Sequence, residues 1–342
     1  MNPETQDSVL NPKNASSSNL LYGGLLAAFT SLAVFIVLVF IYPYAEGYLN
    51  TRTPLAHYLE IYWLLEDWQQ CWFVIPACVF IIWKAKDTFP YDRVNGHWTG
   101  LPVLLLSFLF YYLGYLIDNY YVGFAAIQLY VAGIIIWFLG WSWMRVLIFP
   151  WMFMVFAWPL LFLDTMLGFP LRLAMVDSSY HLLNFLGISC VKIGSAVVSS
   201  PEPALGIAQG ERFAVDIANP CSGIRSLFAL MMVSSLYAYF AVRPLWKQIL
   251  VFCCSIPLAI LGNMVRIFML VVGTLLVSSK FAIGTLEQPS WFHMAAGFVV
   301  FAVALGGLLL ISEVLQMNWR QFISKWTNNP LPPSSKDDSN LY

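Results

Sequence analysis

Cys221, Arg266 and His293 are three polar residues set far apart in a chain that is otherwise mostly lipid-soluble. Each sits in or beside a long apolar run, where charge and reactivity are costly. A thiol is a nucleophile, a guanidinium is a fixed cation, and an imidazole carries protons near neutral pH. Held at one depth in a membrane, the three would equip a cysteine for acyl transfer.

Cys221 lies in the run Asn219-Pro220-Cys221-Ser222-Gly223-Ile224-Arg225-Ser226-Leu227. The turn residues lead into an apolar helix, so the thiol falls near a helix N-terminus. Unpaired N–H groups and the macrodipole favour a thiolate there. Arg225 adds a second cation, and Ser222 and Arg225 are candidates for orienting a substrate. Glu211 and Asp216 are weaker candidates for the same task. Asn263 lies three residues before Arg266 and shares its helix face. An intramembrane Arg costs roughly 2.5–3.5 kcal/mol at a helix centre, so it calls for a partner or a wet cavity. A guanidinium is a poor base but can stabilise a thiolate or an oxyanion. His293 follows Trp291 and Phe292 and opens an apolar helix. Each residue alone has a plainer explanation: an inert interfacial thiol, a snorkelling cation, an interfacial imidazole. The combination favours chemistry.

The elements that must position them are membrane helices. The 342 residues are 60% hydrophobic and 10% charged, far below the roughly 25% charged residues of soluble domains. A formal net charge of −1 leaves no footprint for nucleic acid. The six cysteines form no zinc-like spacing with histidine, and no metal or organic cofactor is called for. Runs long enough to be candidate spans, at about 20 residues each, are 20–41, 70–83, 100–117, 122–141, 146–163, 227–242, 248–277 and 292–315. The second can extend toward Trp63. The seventh is long, contains Pro257, and reads as one kinked or tilted helix. The fold expected is therefore all-α, a polytopic bundle of about eight spans. Residues 1–19 form a cytoplasmic tail, 20–315 the membrane domain, and 316–342 a partly disordered cytoplasmic tail.

Loop charges orient the chain by the positive-inside rule. Lys84, Lys86, Arg93, Arg145, Arg243, Lys247, Arg320, Lys325 and Lys336 fall in loops or tails that this rule assigns to the cytoplasm. Both termini are then inside. The sixth and eighth spans run inward, placing Cys221 and His293 at their outer ends. Arg266 is 18 residues after Gln248 on the outward-running seventh span, or about 27 Å along a helix, close to the outer boundary. The outer segment 164–225 contains an amphipathic stretch, Leu171–Ile188, expected to lie in the interface. Gly206–Ile217 alternates weakly and is expected to form a short hairpin ahead of Cys221, and Pro201-Glu202-Pro203 reads as a turn. His57, His97 and His181 fall in loops or interfaces.

From Cys221 to Leu227 the sequence resembles the exosortase/archaeosortase family, which shows a Cys-Ser-Gly-(Leu/Ile)-Arg-Ser-Leu segment. Pro257-Leu258-Ala259 with Asn263 to Ile267 resembles its Asn-x-x-Arg-(Ile/Val) segment, and His293 its late His. Trp68 to Pro76 and Leu186-Gly187-Ile188 look like weaker landmarks. The chain departs from it at Asn219-Pro220 and at Gln69-Gln70-Cys71-Trp72. The resemblance implies a multi-pass cysteine transpeptidase of the bacterial inner membrane, its site facing outward. It implies substrates that are exported proteins ending in a short motif (Pro-Glu-Pro in the best-known class), an apolar helix and a basic cluster. The acceptor would be membrane lipid or lipid-linked. A transporter using Arg266 and His293, or a non-catalytic component of an exopolysaccharide export system, is the alternative.

Overall fold

The computed structural model describes residues 12–46, 50–65, 68–158, 166, 168–216, 224–284 and 290–317. The chain divides into two compact units, 1–159 and 160–342.

The first unit is helical. Helix α1, Pro12–Ile36, runs on through a π turn at Val37–Ile41. Then come α2 (Leu55–Leu64), α3 (Val74–Lys84), α4 (Gly100–Leu116), α5 (Tyr120–Ile134, extended by a π turn at Ile135–Leu139) and α6 (Trp141–Phe153). The α4–α5 hairpin turns on Asp118, at φ 54°, and on Asn119. The Asn119 side chain accepts hydrogen bonds from the N–H groups of Tyr121 and Val122 at 3.0 and 3.3 Å, which caps α5. Tyrosine hydroxyls tie α1 to this hairpin: Tyr130 donates to the Ser31 carbonyl at 2.9 Å and Tyr111 to the Leu38 carbonyl at 2.8 Å. The second apolar run does not continue back to Trp63 as one helix. Leu65 turns extended, at ψ 135°, and ends α2 before α3 begins.

The second unit carries the outer segment and the last three long helices. Helix α7 spans Phe169–Phe185, with Met175, Val176, Ser179 and Leu183 on its buried face. Three short strands follow: β1 (Cys190–Ile193), β2 (Ala196–Ser199) and β3 (Ala214–Asp216). They form an antiparallel sheet in the order β1-β2-β3, with Cys190 opposite Ser199 and Val197 opposite Val215. The turn between β1 and β2 is Gly194-Ser195, with Gly194 at φ 58°, the left-handed conformation that tight hairpins use. The sheet adds a β element to the expected all-helical architecture. It also moves the expected hairpin: the strand at Ala214–Asp216 is present, but its partner lies upstream of residue 206.

Helices α8 (Ile224–Ala241), α9 (Leu245–Leu276) and α10 (Trp291–Gln316) complete this unit. They share a core of Ala238, Val242, Val251 and Leu308. A second cluster joins Leu227, Leu230, Ala259 and Ala304. Close approach of α9 and α10 needs a glycine: a Cβ on Gly262 would stand 2.9 Å from Val300 Cγ1. Helix α9 is one continuous element of 32 residues with Pro257 inside it.

Apolar helices occupy all eight expected positions. Among the described residues, four are long and apolar enough to cross a membrane: Gly24–Ile41, Tyr120–Leu139, Leu245–Leu276 and Trp291–Gln316. Gln69–Lys84, Gly100–Leu116, Trp141–Ala157 and Ser226–Ala241 are shorter. The 17 residues of α4 rise about 25 Å, against about 30 Å of hydrocarbon.

Candidate active site

Arg266 and His293 come together on the facing sides of α9 and α10. The guanidinium of Arg266 lies against Gly297, and a Cβ placed there would be 3.6 Å from both Cζ and Nη2. Gly297 is one turn beyond His293 on α10, so cation and imidazole share one helix–helix seam. His293 is buried, only 4% exposed. Its imidazole is within electrostatic range of the Arg266 charge.

Local structure fixes the imidazole from its backbone side. Ser290 is the N-cap of α10, and its hydroxyl accepts the His293 N–H at 3.0 Å. The same hydroxyl donates to the Ala282 carbonyl at 2.9 Å. The Ser290 N–H donates to the Ile283 carbonyl at 3.1 Å. One serine thus starts the helix and ties it to the helical turn Ser279–Ala282, itself capped by Ser278. The sequence reading passed over Ser290. A Ser directly before an apolar run, after Pro289, was the available signal.

Asn263 shares the Arg266 face, as its spacing predicts, and is 2% exposed. Its Nδ2 donates to the sulfur of Met175 on α7 at 2.9 Å. Beyond Arg266, the next turns of α9 carry the outer core. Ile267, Leu270 and Val271 pack with Met175, Val176 and Leu183 of α7, and with Cys190, Val197, Phe213 and Val215 of the sheet region. Arg266 therefore sits where the three-helix core meets the sheet-bearing segment.

Cys221 and Ser222 lie outside the described residues, as does the side chain of Arg225. The elements on either side of Cys221, β3 and α8, both contact α9. Glu211 and Asp216 are engaged locally: Glu211 accepts the Ala208 N–H at 2.8 Å, and Asp216 accepts the Ser195 hydroxyl at 2.9 Å.

The other three histidines are engaged elsewhere. His57 lies 3.8 Å from Glu60, and His97 Nδ1 2.7 Å from the Thr99 hydroxyl. His181 lies 3.6 Å from Asp177, whose carboxyl the Lys192 ammonium holds below its usual range. Cys71, Cys78 and Cys190 are buried, Cys254 is half-buried and Cys253 is exposed. Burial pushes the Cys190 thiol up, the reverse of what a nucleophile needs.

The arrangement offers a fixed cation and a proton carrier at one seam, and the elements that flank Cys221 in sequence pack on the same helix. Comparisons with curated proteins and with solved structures each found no match. The family model described as transmembrane exosortase (Exosortase_EpsH) matches residues 63–310, a stretch that begins at Trp63 and includes Cys221, Arg266 and His293. On that match and its apolar helices, this multi-pass membrane protein belongs to the transmembrane exosortase family.

Proposed function

We propose that this chain is a membrane-embedded cysteine transpeptidase. It cleaves the C-terminal sorting tails of exported proteins at the outer face of the bacterial inner membrane and passes the cut proteins to an acceptor. The Cys221 thiolate attacks the scissile carbonyl, and Arg266 stabilises the oxyanion that forms. The carbon–nitrogen bond breaks as His293 gives a proton to the leaving amine, leaving a thioester. A nucleophile of a membrane lipid or lipid-linked acceptor attacks that thioester, loses its proton to His293 and returns Cys221 to the thiolate. The substrate tail ends in a short motif, an apolar helix and a basic cluster. Eight spans with both termini inside place the scissile bond at the outer interface.

The observation that carries this reading is the convergence of Arg266 and His293. They are 27 residues apart in sequence, on two helices, yet the Arg266 guanidinium lies against Gly297, one turn from His293, and its charge acts on the imidazole. Family membership supports the assignment of Cys221 as their nucleophile. The test is processing of a tailed reporter in membranes with matched enzyme levels. Cys221→Ala is expected to abolish processing while still inserting, because losing a nucleophile removes several orders of magnitude in rate. The wild type is expected to accumulate a hydroxylamine-sensitive adduct when acceptor is withheld. Near-normal processing by Cys221→Ala would overturn the proposal.

A further inference from the structure

The two edges of the outer sheet are finished differently. The phase of pairing is set by the Ser199 N–H, which donates to the Phe213 carbonyl at 2.9 Å, and by the Ser200 N–H, which donates to the Ser189 carbonyl at 3.1 Å. In an antiparallel ladder, alternate residues turn their main-chain groups to opposite sides. Cys190 on β1 and Ala214 on β3 therefore both face away from β2. At β1 the outward groups of Cys190 are taken. The Asn184 side chain accepts the Cys190 N–H at 3.3 Å and donates to the Cys190 carbonyl at 3.4 Å. At β3, none of the described residues bonds the outward N–H or C=O of Ala214, and Ala214 is exposed. Val215 is buried in the core, which anchors the strand from its other face.

The geometry points to strand addition at β3: the extended motif of a tailed substrate pairs with the Ala214 main chain and so delivers its scissile bond to Cys221. This deepens the transpeptidase reading and rests on it. Three observations single out this occupant. The strand is short and holds no proline, so Ala214 keeps its outward donor and acceptor. A methyl side chain at Ala214 leaves the main chain accessible. Cys221 follows Asp216 by five residues, so it lies within about 18 Å of it even at full extension. A peptide added to β3 reaches that distance within a handful of residues. Main-chain pairing supplies affinity while leaving side-chain choice to the pockets around it, which is how other edge-binding modules read extended peptides.

The experiment uses full-length enzyme in membranes and an exported reporter carrying one of the host's own motif-helix-basic tails. Ala214→Pro removes the outward N–H without touching a bond to β2. It is expected to raise KM for the tailed reporter about tenfold, the scale of one lost hydrogen bond, with kcat little changed. Ala214→Val keeps the N–H and is expected to behave as wild type. Iodoacetamide labelling of Cys221 at the wild-type rate shows that the proline variant is folded. In an Ala214→Cys, Cys221→Ser background, cysteines walked along the reporter motif are expected to cross-link at every second position. An unchanged KM for Ala214→Pro, or cross-links without that alternation, overturns strand addition. So does dominant cross-linking between two enzyme copies at position 214. Processing that survives Cys221→Ala overturns the catalytic reading instead, so the two failures are distinguishable.

Discussion

The guanidinium of Arg266 rests on Gly297, in a space that a larger side chain would take. A methyl group there meets it at ordinary contact distance, 3.6 Å. Gly297→Ala is therefore expected to keep processing within a few-fold of wild type. Gly297→Leu places branched carbon where the cation lies and is expected to lose most turnover while the protein still inserts. Equal activity of the two variants, measured on a tailed reporter, would separate Arg266 from the chemistry.

Charge and shape at Arg266 separate in a second variant. Arg266→Lys keeps the charge and loses the planar fork that holds an oxyanion in fixed geometry. The expected loss in kcat is on the order of 10²-fold, the scale of one oxyanion donor. Asn263→Ala removes the amide that bonds Met175, not the cation, and is expected to cost less. A Lys variant with wild-type kcat would show that Arg266 supplies field alone.

On the proposed mechanism Ser290 is a positioning residue, acting through His293, whose N–H its hydroxyl accepts. Ser290→Ala is expected to remove about 1 kcal/mol of helix-end stability, the usual worth of such a cap, and to lower kcat with KM little changed. Ser290→Thr keeps the hydroxyl and should restore the rate. A loss that Thr does not rescue, or one seen only in protein abundance, would make Ser290 structural and nothing more.

Thiol labelling distinguishes the cysteines and the faces together. Burial raises the Cys190 thiol, so at a given pH it is more protonated than a free thiol and alkylates slowly, gaining rate only as pH rises. Cys221, three residues before α8 in sequence, is expected to label with a membrane-impermeant reagent added from outside, and at lower pH than Cys190. Labelling of Cys221 only from the cytoplasmic side would invert the proposed orientation.

Much of this architecture is legible in the sequence because lipid imposes long apolar runs, and among the described residues each of the eight runs contains an apolar helix. Arg266 and Asn263 were readable because a spacing of three fixes a common face. The sheet was not. Strands of three or four residues are too short for alternation to rise above chance, and the best local signal, Gly194-Ser195 between Ile193 and Ala196, lies outside the stretch that alternates. The pairing of β2 with β3 is also non-local, with Ala196 opposite Asp216 across twenty residues. The close approach of α9 and α10 that brings Arg266 to His293 depends on Gly262 and on a small residue at Gly297, which look in sequence like ordinary small residues of a membrane helix.

Helix α9 is an unbroken bar of 32 residues, about 48 Å long at the usual helical rise, and so some 18 Å longer than the hydrocarbon is thick. Arg266 and the residues that carry the sheet, Ile267, Leu270 and Val271, are consecutive graduations on it. On the proposed reaction, the cut is measured by the protein's own yardstick and not by the bilayer. A thinner membrane would submerge less of the bar yet leave the interval from cation to sheet unchanged, and the burden of matching membrane thickness would fall on the length of the substrate's anchoring helix.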